Sequence, residues 1–204
     1  MVLKFLLISD GSSDSALIPI IKFALKTKFK GDDFIGERAD LYRVPNPPKS
    51  LRDKILLGKE LYNPDLILVH RDCEKDTVQK RHDEIDEAII DLEIENIIKI
   101  VPLRMTEAWL MIDEMAIRLA VNNPNGNVRL MLPPINKLEG IVDPKQSLET
   151  LLKIASELKG RRLDSLNTRQ AIHYVADHIK DFSSLNKLSS FNYFSNQLEL
   201  LNFE

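Results

Sequence analysis

Short apolar runs alternate with amphipathic segments through the first 120 residues, and this alternation constrains the fold more than any other feature of the chain. The apolar runs have the length of strands, whereas the segments between them repeat apolar residues at helical spacing, apart from a turn predicted at GDDFIG (31–36). The predicted strands are residues 2–9, 37–44, 64–70 and 96–103, and the predicted helices are residues 12–30, 50–62, 77–93 and 106–120. This order predicts a three-layer α/β fold with a mostly parallel sheet.

The alternation of strand and helix patterns ends after residue 121. A turn-rich stretch, NNPNGN (122–127), is followed by segments with helical spacing and by no further strand pattern. The clearest of these helices covers residues 143–160, with Asp143 as the expected N-cap. We therefore predict an α/β domain at residues 1–121 and a helical C-terminal subdomain at residues 122–204.

The composition predicts a protein that folds around a core and lies in the cytoplasm. Hydrophobic residues make up 44% of the 204 residues, no apolar run approaches the roughly 20 residues that cross a bilayer, and Cys73 is the single cysteine. The net charge of −3 does not attract nucleic acid to the chain as a whole. Basic residues cluster at 22–30 and at 159–169, where they either hold a polyanion or form solvated helix faces.

Acidic residues follow the predicted strands and indicate a metal site. Asp10 ends the first strand, Asp72 follows the third, and Glu107 opens the helix after the fourth. Because parallel strands end at one edge of a sheet, we expect these carboxylates to meet there, together with Glu74, two residues beyond Asp72. Such oxygen ligands suit Mg²⁺ or Mn²⁺. Each acid also has a structural interpretation, as a turn residue, a helix cap or a first-turn acid that complements the helix dipole, as for Asp14.

Four short motifs occur in order along the chain: Asp10-Gly11 with Asp14, Asp72-Cys73-Glu74, TEAWLMID (106–113), and Asp143-Pro144-Lys145. The first two resemble the acidic pattern of the Toprim fold. The other two are similar to segments of the Toprim-like proteins grouped as domain of unknown function 4276. The resemblance covers residues 1–150, and it departs from the usual pattern at Asp10, where Glu is usual, and at Glu74, where Asp is usual.

This resemblance implies a protein that cleaves or joins phosphodiester bonds in nucleic acid with Mg²⁺, beside an ABC-type ATPase in a mobile-element or phage-defence setting. Asp10 would take a general acid/base or metal role, and Asp72 and Glu74 would hold the ion. Glu107 would be an auxiliary ligand or base. The basic side chains expected to contact phosphate oxygens are Arg71, Arg104 and Lys145.

Two other functions are compatible with the same residues. A non-catalytic Toprim-like subunit that docks on a partner protein is favoured by the departures at Asp10 and Glu74. A receiver-like signalling domain also gathers acids at strand ends, but the two adjacent acids that it needs after the first strand are not clear in this sequence. Of the remaining polar candidates, His70 is expected to be a satisfied strand-end histidine rather than a ligand, and Trp109 is expected to anchor the core.

Overall fold

The structure is a computed structural model that describes residues 1–73, 75–201 and 203. Within these residues the strands are β1 (Val2–Ile8), β2 (Asp33–Arg38), β3 (Leu66–His70) and β4 (Ile97–Ile100). The helices are α1 (Leu17–Lys28), α2 (Leu51–Tyr62), α3 (Val78–Ile89), α4 (Glu114–Ala120), α5 (Pro144–Ser156), α6 (Arg161–Asp164), α7 (Thr168–His178) and α8 (Ser189–Gln197). These elements confirm the predicted α/β fold with helices at the C-terminal end.

All four strands are parallel, and their order across the sheet is β2-β1-β3-β4. The chain therefore moves outward from β1 to β2 and then places β3 on the other side of β1. A ligand site is expected at such a switch in strand order, beyond the carboxyl ends of the two strands. Ile8 of β1 lies beside Val69 of β3, so the residues that follow these strands emerge next to each other.

Both faces of the sheet are buried, and for this reason β1 and β3 consist almost entirely of apolar residues. Leu3, Phe5 and Leu7 share one core with α1 and the C-terminal helices. Leu6 and Ile8 point to the opposite face, where they pack with residues of α2 and α3. Because successive side chains of a strand alternate between its faces, one apolar run supplies two cores. The result is a sheet between two helical layers.

The C-terminal helices pack against the same face of the sheet as α1. Trp109 is fully buried, as expected for a core anchor, and its ring meets Phe191 of α8 edge-on at a centroid distance of 5.4 Å. The amide of Lys99 in β4 donates to Gln197 Oε1 at 3.0 Å, and Gln197 Nε2 donates to the Lys99 carbonyl at 2.8 Å. One side chain thus satisfies two backbone groups on the open edge of β4. The domain boundary after residue 121 stays a prediction.

The second strand begins earlier than predicted. It covers Asp33–Arg38 rather than residues 37–44, and it includes part of the stretch that the sequence analysis assigned to a turn. Gly36 lies against the ring of Phe5, and a Cβ atom at this position would be 2.4 Å from the ring carbons. The prediction was wrong because a glycine in this stretch resembles a turn signal in the sequence. In the structure, Gly36 lies within β2 and allows that strand to approach β1 closely.

The helix predicted at residues 106–120 is divided into two. Thr106–Leu110 forms a short 3-10 segment, and α4 begins after Asp113. The Asp113 carboxylate accepts a hydrogen bond from the amide of Ala116 at 3.0 Å, so it caps a new helix instead of lying within a longer one. The N-cap predicted at Asp143 is confirmed, because its carboxylate accepts from the amide of Gln146 at 2.8 Å.

Candidate metal centre

A cleft of about 470 Å³ opens beyond the carboxyl ends of β1 and β3, at the switch in strand order. Its walls come from the turn after β1, from the exit of β3 and from Lys145 at the start of α5. Acidic and basic side chains both line it. The topology therefore places the cleft where the sequence predicted a site, and it adds residues that the sequence did not single out.

Asp14, His70 and Asp72 form a compact group of metal-binding side chains in this cleft. Nε2 of His70 lies 3.4 Å from Asp72 Oδ1 and 4.0 Å from Asp14 Oδ1, and one donor atom from each residue lies within 4.8 Å of the others. His70 is buried, and the two carboxylates are mostly shielded from solvent. Among the described residues, this group has the composition and the spacing to hold a metal ion.

The ring of His70 is oriented by a backbone hydrogen bond. Its Nδ1 lies 3.1 Å from the carbonyl oxygen of Ile100, which can only accept, so Nδ1 carries the hydrogen and Nε2 faces the carboxylates. Burial alone would lower the pKa of His70, but the charges of Asp72 and Asp14 outweigh burial and raise the pKa to about 8. In the metal-free protein, a proton therefore occupies Nε2 at neutral pH.

Backbone amides orient the two carboxylates. The amide of Gly11 donates to Asp14 Oδ2 at 2.9 Å, which leaves Oδ1 on the side of His70. The amide of Thr106 donates to Asp72 Oδ1 at 3.2 Å, and the Thr106 hydroxyl lies 3.5 Å from His70 Nε2. Partners that hold metal ligands in place are typical of metal sites in proteins.

The two separations measured from His70 Nε2 fit a single ion. Bonds of about 2.1 Å allow two donors on the same ion to be at most about 4.2 Å apart. The separations of 3.4 Å and 4.0 Å from His70 Nε2 both fall within that limit. One imidazole and two carboxylates form a ligand set that transition-metal ions accept, because imidazole suits them better than it suits Mg²⁺ or Ca²⁺. The group can therefore hold a metal ion.

Glu107 lies near this group, as the sequence analysis expected. It is buried, and burial raises its pKa, with further contributions from the charges of Asp72 and Asp14; a backbone hydrogen bond and the charge of Lys145 oppose the shift. The carboxyl group of Glu107 therefore keeps its proton to a higher pH than an exposed glutamate does. Its role as an auxiliary ligand or base stays a prediction.

Asp10 is held by two cations rather than by the metal-binding group. Lys54 Nζ donates to Asp10 Oδ1 at 2.7 Å, and Arg71 donates to Asp10 Oδ2. Burial would raise the pKa of Asp10, but the hydrogen bond from Lys54 and the charge of Arg71 lower it below the usual value. Both oxygens of this ionised carboxylate are thus occupied, and its predicted role as a metal ligand or catalytic group stays a prediction.

The other predicted site residues occupy different positions. Arg71 and Lys145 line the cleft, as expected for side chains that contact phosphate. Arg104 lies close enough to Cys73 to act on its thiol: burial raises the pKa of Cys73 to about 11, while the charges of Arg81 and Arg104 oppose this rise. Glu74, the second predicted metal ligand after β3, lies outside the described residues. Burial and a high pKa make Cys73 a poor nucleophile.

Two members of the metal-binding group were not predicted as ligands from the sequence. Asp14 was interpreted as a helix-dipole acid, and His70 as a satisfied strand-end histidine. The second interpretation is correct for Nδ1, but Nε2 is directed into the cleft. The pattern His70-x-Asp72 contained the signal, because residues two apart at an extended strand exit point the same way.

The chain was compared with protein-family models, with curated proteins and with solved structures. No family model matches it, and neither a curated protein nor a solved structure does.

Proposed function

We propose that this chain is a metal-dependent phosphodiesterase that acts on nucleic acid. The observation that supports the proposal is the group formed by Asp14, His70 and Asp72, which lies in a cleft that Arg71 and Lys145 also line. A site for a cation beside basic side chains suits an anionic substrate whose reacting group contacts both. The motifs that resemble Toprim-like proteins support the same reaction.

Mn²⁺ is the ion that we assign to this site, ahead of Mg²⁺. Both were expected from carboxylates alone, but an imidazole ligand favours the transition-metal ion. Asp14, His70 and Asp72 would hold the ion. When bound, the ion supplies Lewis-acid polarisation of a phosphoryl oxygen and lowers the pKa of a bound water.

Two residues that line the cleft would bind phosphate, and Glu107, beside the metal-binding group, would hold a proton. Arg71 presents a planar guanidinium, which binds phosphate oxygens in pairs, and Lys145 contributes a point charge from the first turn of α5. Glu107 is a buried carboxyl group with a raised pKa, which suits a general acid that protonates the leaving oxygen. Arg104 and Glu74 stay proposed participants on the basis of the resemblance.

The partner also rests on the resemblance: an ABC-type ATPase in a defence or mobile-element system. We assign the protein to the cytoplasm because Cys73 is its single cysteine. In the part of the chain that the structure describes, no helix has the length and apolar character needed to cross a membrane.

A non-catalytic docking subunit is the second candidate function. The observation that favours it is the position of Asp10, which corresponds to the first acid of the Toprim pattern and is neutralised by Lys54 and Arg71. A protein of this kind would bind its partner in a stoichiometric complex and would not respond to metal.

The test is thermal unfolding with and without Mn²⁺ or Mg²⁺, in the wild type and in Asp72→Asn. A ligand at about 100 times its Kd stabilises a protein by about 2.7 kcal/mol, which shifts the Tm of a chain of this size by roughly 5–10 °C. Asparagine keeps an oxygen that can accept from the Thr106 amide but loses the charge, so the variant should fold without the shift. The matched control is Asp83→Asn on the exposed face of α3.

Hydrolysis is then measured with bis(p-nitrophenyl) phosphate and with DNA and RNA. We expect Mn²⁺-dependent turnover in the wild type and in Asp83→Asn, and none in Asp72→Asn. Absence of a thermal shift with either ion would refute the metal site. A shift without hydrolysis of any of these substrates would refute the proposed reaction, whereas no shift with either ion, together with a stoichiometric partner, would favour the docking subunit.

A further inference from the structure

Asp10, Lys54 and Arg71 form an ion-paired group at the edge of the cleft. Two cations from different elements converge on one carboxylate: Lys54 comes from α2, and Arg71 from the exit of β3. Each cation contacts a different oxygen of Asp10. A carboxylate held in this way shows that the two cations can bind a small anion through a pair of its oxygens.

The anion is the most exposed member of the group. The side chain of Asp10 is 54% exposed, compared with 16% for Lys54 and 23% for Arg71. Arg71 is held independently by Glu84 at 3.1 Å, so it keeps a partner when Asp10 moves away. Tyr42 donates to the backbone carbonyl of Asp10 at 2.6 Å, which fixes the main chain and leaves the carboxylate as the part that can rotate into solvent.

The ion-paired group lies beside the metal-binding group, where a bound substrate could contact both. Asp10 and Arg71 line the same cleft as Asp14, His70 and Asp72, and the charge of His70 reaches Asp10. An ion pair with an exposed member contributes little to stability, roughly 0–1 kcal/mol, so its replacement by another anion costs the fold little. An oxyanion that displaced Asp10 would bind two cations next to the metal-binding group.

We infer that Lys54 and Arg71 form a binding site for a phosphoryl group and that the Asp10 carboxylate occupies this site until substrate replaces it. Asp10 is then a competitor of the substrate and not a ligand of the metal. The identification of the phosphoryl group as part of a substrate rests on the proposed function, whereas the anion site itself does not. Lys54 becomes a substrate-binding residue that the sequence did not single out.

The test measures the affinity for inorganic phosphate by calorimetry, in EDTA, for the wild type and for Asp10→Asn. We expect Asp10→Asn to bind phosphate about fivefold more tightly or better, because the Coulomb energy of one charge at contact distance corresponds to about that factor even in water. Asp86→Asn is the matched control: it also releases a lysine, Lys99, from an ion pair of 2.7 Å, but elsewhere in the chain. Its phosphate affinity should equal that of the wild type.

A further variant and a second anion distinguish a phosphate site from a general effect of charge. Adding Lys54→Met to Asp10→Asn should remove the gain in affinity. An equal gain in Asp86→Asn would show a general effect of net charge, and an equal gain for acetate would show a site without preference for phosphate; either result overturns the assignment. Unchanged or weaker phosphate binding by Asp10→Asn also overturns it, and Asp10→Ser replaces that variant if asparagine prevents folding. Because no metal or turnover is involved, this outcome is independent of the test of the proposed function.

Discussion

His70 should make the stability of the metal-free protein depend on pH in the neutral range. Its pKa is about 8 in the folded chain, against 6.5 as the ordinary value. The proton is therefore held more tightly in the folded state, and the resulting stabilisation is fully present below about pH 6.5 and is lost as the pH rises through 8. The difference of 1.5 between the folded and ordinary pKa values corresponds to about 2 kcal/mol of unfolding free energy. This energy comes from the attraction between the carboxylates of Asp14 and Asp72 and the buried, protonated imidazole of His70.

The assay is urea unfolding in EDTA between pH 6.0 and 8.5, with the wild type compared with His70→Gln. The difference in unfolding free energy between the two proteins should shrink by roughly 1.5–2 kcal/mol over this range. The upper limit keeps the measurement below the titration of Cys73, whose thiol has a pKa raised by burial and would lower stability at higher pH. A difference that stays constant from pH 6.0 to 8.5 would refute a protonated His70 between two carboxylates.

Three further outcomes follow from the contacts. Mn²⁺ must displace the proton from His70, so its apparent Kd, measured by titration calorimetry, should fall about tenfold per pH unit as the pH rises from 6 to 7; a Kd that does not change would exclude His70 as a ligand. Glu139 accepts hydrogen bonds from the first two amides of α8, so Glu139→Ala should lower the unfolding free energy by about 1–2 kcal/mol in urea titrations, and an unchanged value would contradict this capping role. Gln197→Leu removes both hydrogen bonds to the backbone of Lys99, so hydrogen exchange at that amide should accelerate, and unchanged protection would show that the edge of β4 does not depend on this side chain.

The order of the elements could be predicted because it depends on local patterns. Apolar runs such as residues 64–70 and the helical spacing of the segments between them are visible in any short window, and parallel strands then place their carboxyl ends at one edge. The position of β2 could not be predicted in this way. Whether Gly36 ends a strand or makes room for the ring of Phe5 depends on a residue 31 positions away.

The candidate site shows the same distinction between local sequence pattern and tertiary contact. The sequence by itself predicted that Asp72 and Glu107 lie near one another at the carboxyl edge of the sheet, since Asp72 follows the exit of the third strand and Glu107 opens the helical segment after the fourth. Only the tertiary structure decided which acids face His70 and which are paired with cations. Asp10 is neutralised by residues 44 and 61 positions away, whereas Asp14 and Asp72 are oriented towards His70 by backbone amides. The difference is physical: local apolar patterns set the order of strands and helices along the chain, but the pairing of a carboxylate depends on every partner that folding brings to it.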